Sequence, residues 1–304
     1  MKKTNTMGNS RTKRKTSAVL IVLFVLLAVY VLGLFVPVLW SVVSSFAEVN
    51  AYYDFYVDNV VGTRMKYTFD NFINAWKYLE ITAPSSGITY NVLGLYLNSV
   101  LYSLGCALVF TLCPCMVAYA TARFKFRFSK VVYAFVIITM SLPIVGSMPS
   151  EIRMLKQLNI FGTFGSMYVL RFNFLSVYYL ILFAQFEVIP MTYTEAAKID
   201  GADNATVMFR IIVPQALNTI VTVFVLSFIT YWNDFQIPLL YLPDYPTAAY
   251  CIYYFVNVSQ GGNVTGDVPV QLAGTIIMTL PIIIVYAVFN KKLRVSVAMG
   301  GIKG

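Results

Sequence analysis

Residues Pro190–Pro214 read PMTYTEAAKIDGADNATVMFRIIVP. The stretch predicts two short helices joined by a turn. Thr192 or Thr194 supplies an N-cap oxygen, and Glu195, Ala196, Ala197 and Lys198 are good helix formers. Gly201 suits the left-handed residue that closes such a helix. After Ala202, Asp203 or Asn204 caps a second helix whose apolar residues are Val207, Met208, Ile211 and Ile212. Pro214 marks the start of the next long apolar run. A helix-turn-helix with an apolar stripe needs something to cover that stripe. Patterning fits equally a docking element for a soluble subunit and a loop packed on the chain's own helices.

What surrounds this segment is strongly apolar. The chain has 304 residues, of which 59% are hydrophobic and 12% charged, where a soluble domain carries about 25% charge. The mean hydropathy is +0.72. A membrane-crossing helix needs ~20 mostly apolar residues. Six runs qualify as candidates: Ser17–Phe46, Val92–Ala122, Val131–Met148, Asn173–Ile189, Asn218–Leu240 and Val270–Asn290. Arg171 is placed to snorkel at the end of the fourth. Residues 1–16 form a basic tail, 17–46 a first, uncleaved membrane helix, and 47–91 a long external loop. Residues 92–290 form a five-helix core containing the 190–214 loop, and 291–304 a C-terminal tail. Within the external stretch 149–172, Met154, Leu155 and Leu158 predict a short surface helix.

Charge sets the orientation. With the N-terminus inside, sixteen of the twenty-two Lys and Arg residues fall on the inner side, at the two termini and on the second-to-third and fourth-to-fifth loops. That bias predicts six helices with both termini cytoplasmic. The formal charge of +9 therefore reads as topology rather than as a nucleic-acid surface. The absence of histidine removes His-based metal sites and Ser-His or Cys-His catalysis. Cys106, Cys113, Cys115 and Cys251 read as small buried hydrophobes, not as a metal or disulfide framework. No catalytic residue and no metal site is expected. No phosphate loop of the Gly-x4-Gly-Lys-Ser/Thr kind is present, so the chain is expected to bind no ATP and no cofactor itself.

Against this background the 190–214 loop resembles the signature of ABC importer permeases. Glu195-Ala196-Ala197, then Gly201, then Ile211-Ile212-Val213-Pro214 keep the family's full spacing, with Val213 where Leu is usual. The resemblance to maltose-type carbohydrate permeases covers about residues 90–304. It includes Asn98-Ser99, Ala118-Tyr119-Ala120 with Arg123, Pro143 and Pro149, Phe186–Pro190, Trp232-Asn233-Asp234-Phe235, and the tail Gly300-Gly301-Ile302-Lys303-Gly304.

The resemblance implies a type I importer permease fold in a bacterial plasma membrane. It also implies a second permease subunit, two cytoplasmic ATPase subunits that bind the ATP, and an external solute-binding protein. Glu195, Ala196, Ala197, Gly201, Ala202, Asp203, Ile211 and Pro214 would belong to the element that docks on an ATPase, and Gly300, Gly301 and Lys303 would reach toward the same subunit. Tyr178, Tyr179, Tyr231, Trp232, Asn233 and Asp234 are candidates for a sugar path, because sugars present both apolar faces and hydroxyls. The same fold importing an amino acid, a peptide or a phosphorylated sugar is the nearest alternative. A channel or ion-coupled carrier would want paired intramembrane charges or broken repeat helices, which are sparse here.

Overall fold

The computed structural model describes residues 18–58, 64–124, 126–142, 146–257 and 267–299. Helix α1 (Ala18–Ser45) contains no charged residue. The segment after it carries structure of its own. It folds into α2 (Val49–Tyr56), α3 (Asp70–Tyr78) and a two-stranded antiparallel hairpin, β1 (Ile81–Thr82) with β2 (Thr89–Tyr90). Asn71 ties this segment to α1, its buried amide donating to the carbonyls of Ser45 at 2.9 Å and Ala47 at 2.7 Å. Those are C-terminal carbonyls that a helix leaves without an internal partner.

Helix α4 (Val92–Arg123) is the axis of the molecule. It begins under an Asn91 cap that accepts from the Gly94 amide at 3.0 Å. Apolar residues along it serve three successive clusters. Val92 and Leu95 pack with Tyr250, Cys251, Phe255 and Val270. Tyr102 and Cys106 pack with Leu155, Met167, Tyr231 and Trp232. Cys115, Ala118 and Tyr119 pack with Leu182, Phe186, Val207 and Ile212. All four cysteines are buried and free.

Helices α5 (Ser129–Ser141), α6 (Met148–Gln157), α7 (Phe164–Leu170) and α8 (Val177–Val188) follow. The expected third run, 131–148, is cut short. Leu142, which precedes Pro143, is extended (φ −91°, ψ 121°), as proline demands of the residue before it. Pro143 itself lies outside the described residues. Met148 instead opens α6, with Pro149 in its first turn. In α6, Leu155 is wholly buried while Met154 and Leu158 are exposed, so the helix packs inward along one side. The expected fourth run, 173–189, begins only at Val177, because the Asn173 side chain accepts from the Leu175 amide at 2.8 Å and holds a turn there.

After α9 (Thr192–Ile199) and α10 (Asn204–Thr206), a π-helical turn over Val207–Ile212 runs directly into α11 (Val213–Trp232). The expected second short helix is therefore the start of the fifth long one, continuous over Asn204–Trp232. Pro214 explains the π-turn. It has no amide to offer the Arg210 carbonyl, and the widened turn, with the Val213 amide bonding back to Met208, relieves the ring. The fifth run also stops at Trp232, not at 240, and α12 (Gln236–Tyr241), α13 (Ala248–Asn257) and α14 (Val268–Met299) complete the chain. Helix α14 continues past Asn290 into the expected tail.

Among the described residues, four helices are long and apolar enough to cross a membrane: Val19–Ser45, Val92–Arg123, Asn204–Trp232 and Val268–Asn290. Helices α5 and α8 have 13 and 12 residues, each roughly 18–20 Å long, short of a ~30 Å hydrocarbon core. Helix α1 differs from the other long helices, since none of its apolar window is buried by the rest of the chain. A helix with that much apolar surface requires lipid or another protein around it.

Gly105 lets α4 and α7 meet. A Cβ there would overlap the ring of Tyr168, whose hydroxyl is held by the Leu101 carbonyl at 2.9 Å. Gly105→Ala is expected to cost about 1–3 kcal/mol by overpacking. Thermal unfolding of the detergent-solubilised protein should show the loss, and Tyr168→Ala in the same chain should restore part of it.

Candidate functional site

The 190–214 segment projects from the Arg123 end of α4. Helix α9 packs on the π-turn through Ala197, which is buried together with Val207 and Ile212. Met208 and Ile211 are half-buried against the same cluster. The apolar stripe is thus covered largely by the chain's own helices. The opposite surface is free: Glu195, Ala196, Lys198, Gly201 and Asp203 are exposed, and Ile199 at the tip is 86% exposed. Ala202 is half-buried and Pro214 exposed.

Gly201 has φ +84° and nothing within 4 Å of a built Cβ, so backbone conformation rather than space makes glycine favourable there. Asp203 caps the next helix, accepting from the Thr206 amide at 3.1 Å. Hydrogen bonds from Thr206, side chain first and backbone second, hold the Asp203 carboxyl below its ordinary value. The cap is therefore complete above the usual carboxylate range and is lost as pH falls through that lowered value.

The cap of α9 differs from expectation. Neither Thr192 nor Thr194 serves, and Met191 occupies the N-cap with no side-chain bond. Thr194 has another partner. Its hydroxyl accepts from the Arg123 guanidinium at 2.6 Å, and the same guanidinium donates to the Ile189 carbonyl at 2.6 Å and reaches the Phe186 and Pro190 carbonyls at 3.4 Å. Arg123 is 6% exposed. It roots the projecting segment by taking the carbonyls that α8 leaves open at its C-terminus. Counting charges for topology gave no sign of this role; the buried, capping geometry alone reveals it.

A second polar group lies at the far end of α11. The Tyr102 hydroxyl donates to Asp234 at 3.0 Å, and the other carboxylate oxygen of Asp234 accepts from the Ile237 amide at 3.2 Å. Tyr231 and Trp232 are buried, Asp234 is half-buried and Asn233 is exposed. Arg171 does not snorkel. Its guanidinium lies over the Tyr231 ring, 5.2 Å from the centroid, because a cation is attracted to the aromatic face. Tyr178 is half-buried, edge-on to Phe110 at 5.8 Å. Tyr179 is wholly buried and shares a 2.9 Å hydrogen bond with Thr121, away from the Asp234 group. Gly300, Gly301 and Lys303 lie outside the described residues.

Asn98 and Ser99 also prove to have a structural task. The Asn98 amide donates to the Pro246 carbonyl at 3.0 Å, and Ser99 accepts from the Ala248 amide at 2.7 Å, which fixes the start of α13 against α4.

Several apolar helices long enough to cross a bilayer, together with an exposed helix-turn rooted in the bundle, define a multi-pass membrane protein with a docking-sized projection. The chain belongs to the family of binding-protein-dependent transport system inner membrane components, whose sequence profile matches residues 111–294. Its chemistry is transport, in a plasma membrane, in systems that depend on a binding protein. It is 24% identical over 295 residues to the diacetylchitobiose uptake system permease protein NgcG of Streptomyces coelicolor, covering 94% of this chain and 89% of that one. It is 28% identical to the trehalose transport system permease protein SugB of Mycobacterium tuberculosis, covering 69% and 78%. With the trehalose/maltose transport system permease protein MalG of Thermococcus litoralis it shares 24% identity, covering 88% and 91%. The fold is shared with a crystal structure of a bacterial ABC transporter that imports the acidic polysaccharide alginate (TM-score 0.70, 20% identity, 94% of this chain and 99% of that one).

Replacing Arg123 by Met should strand the Ile189 carbonyl and free Thr194, at about 1.5–3 kcal/mol for a hydrogen bond to a charged group. Protease accessibility of residues 190–203 should rise in Arg123→Met before global unfolding begins.

Proposed function

We propose that this chain is a permease subunit of an ABC importer that carries a sugar or oligosaccharide, handed over by an external binding protein, into the cytoplasm. Hydrolysis of ATP on two partner subunits supplies the work, and a second permease completes the pathway. The sugar assignment is supported by relatives described as permeases for diacetylchitobiose, trehalose and maltose. In this reading the chain crosses the membrane six times, with α5 and α8 as the cores of two of the crossings. Both termini are cytoplasmic.

The observation that carries the coupling role is the exposed α9–Gly201 turn. Glu195 offers a carboxylate and Ile199 an apolar tip to a partner, while Arg123 and the Ala197–Val207–Ile212 cluster hold the back of the turn to the bundle. Movement of an ATPase surface against that tip would pass through a rigid root into α8 and α11. Ala196, Ala202, Asp203, Ile211 and Pro214 shape the turn and its junction with α11. Gly300, Gly301 and Lys303 would reach the same ATPase from the C-terminal tail. On the opposite side, Tyr231, Trp232, Asn233 and Asp234, with Tyr178 and Tyr179 on α8, would line or support the sugar path.

The test is ATPase activity of the assembled complex in membranes. Gly201→Val, which forces a β-branched residue to positive φ, and Glu195→Ala should each lower substrate-stimulated hydrolysis by about 5–150-fold. Membrane insertion of the permease should be unchanged. Full stimulation in both variants would refute the coupling role.

A further inference from the structure

Helix α3 has two unlike faces. Asn71, Ala75 and the following Leu79 are buried against the end of α1 and the α13–α14 cluster. Phe69, Phe72, Ile73 and Trp76 recur at helical spacing, and Phe69, Ile73 and Trp76 are 61%, 48% and 48% exposed. The buried Asn71 bonds prevent the helix from rolling that stripe inward. Between the stripe and α14 lies a groove of about 420 Å³, lined by Phe72, Ile73, Trp76, Ile277 and Leu280, with Lys77 at its edge. That volume falls in the ~300–1,000 Å³ range of small-ligand sites.

Two features decide what would fill it. The α14 wall belongs to a candidate membrane span, and Leu280, Ile283 and Ile284 on it are 49%, 55% and 61% exposed, so the groove opens on the bilayer side. Lys77 is exposed and forms no salt bridge among the described residues. Hydrocarbon below and a single cation at the rim match a phospholipid, whose tail is apolar and whose phosphate is anionic. Trp76 beside Lys77 has the composition of a membrane-interface anchor. A partner helix would need a carboxylate placed opposite Lys77, whereas every anionic phospholipid carries its phosphate next to its acyl chains.

We propose that the α3–α14 groove is a phospholipid-binding site: an acyl chain lies against Trp76, Ile277 and Leu280, and Lys77 selects an anionic headgroup. The site is independent of what the permease carries and extends the membrane face beyond the long spans.

The complete transporter, carrying Phe69→p-benzoylphenylalanine at the groove rim, would be reconstituted in phosphatidylcholine vesicles with phosphatidylglycerol as the minor component. After illumination, adducts would be identified by mass spectrometry. A phospholipid adduct with phosphatidylglycerol enriched about fivefold over its bulk share is expected. Lys77→Gln in the same chain should bring that enrichment down to the bulk ratio, and Lys77→Arg should keep it. Lys77 is solvent-exposed, so neither change threatens folding. A cross-link to another polypeptide would overturn the proposal in favour of a protein interface. Adducts in bulk proportion, or none, would overturn it as well, and none of these outcomes bears on the ATPase result above.

Discussion

A charged guanidinium buried at the end of α4 is the contact on which the projecting segment depends. Arg123 is held by the Ile189 carbonyl and Thr194 and lies near the Phe186 and Pro190 carbonyls. A buried cation without such partners would cost several kcal/mol, so the geometry of α8, the 189–191 turn and α9 is tightly constrained around it. The partners lie on the last turn of α8 and the segment that leaves it, and the donor is on the helix that threads all three apolar clusters. A force on the α9 turn is therefore applied to the central axis of the molecule, not to a loop tip.

The two polar groups are built differently. At the α9 end, a guanidinium held through its two terminal nitrogens by carbonyls and the Thr194 hydroxyl fixes backbone. At the Asp234 end, a carboxylate that accepts from Tyr102 and the Ile237 amide ties the start of α12 to α4, while Arg171 lies over Tyr231 instead of reaching for water. Both join elements far apart in the chain, and the loss of a hydrogen bond to a charged group at least partly shielded from water is costly. Between them α4 runs without interruption from Val92 to Arg123.

Helix α1 and the α3 stripe show the opposite principle. Their apolar surface is not consumed by the chain's own core. For α1 the surroundings must be lipid or a neighbouring subunit. For α3 the geometry is more particular, because Asn71 pins one face and leaves a groove along the other. The 47–91 segment thus packs on α1 and α14 while presenting aromatic residues at its rim.

Much of this was legible in the residues themselves. The long apolar runs place α1, α4 and α14, since ~20 residues without charge have few alternatives to a membrane helix. The Glu195–Pro214 spacing locates the projecting turn, and the demand for positive φ at Gly201 follows from its place after a helix. Helix ends were less legible, because they are decided by partners far away in sequence. Thr194 turns to Arg123 instead of capping α9. Pro214 sits inside a helix that a π-turn makes continuous. In the sequence Arg123 reads as a topological charge and as part of the family pattern, and Arg171 as a snorkelling side chain. Only the tertiary structure turns both inward, because only there do the carbonyls of 186–190 and the face of Tyr231 come within reach of a buried cation.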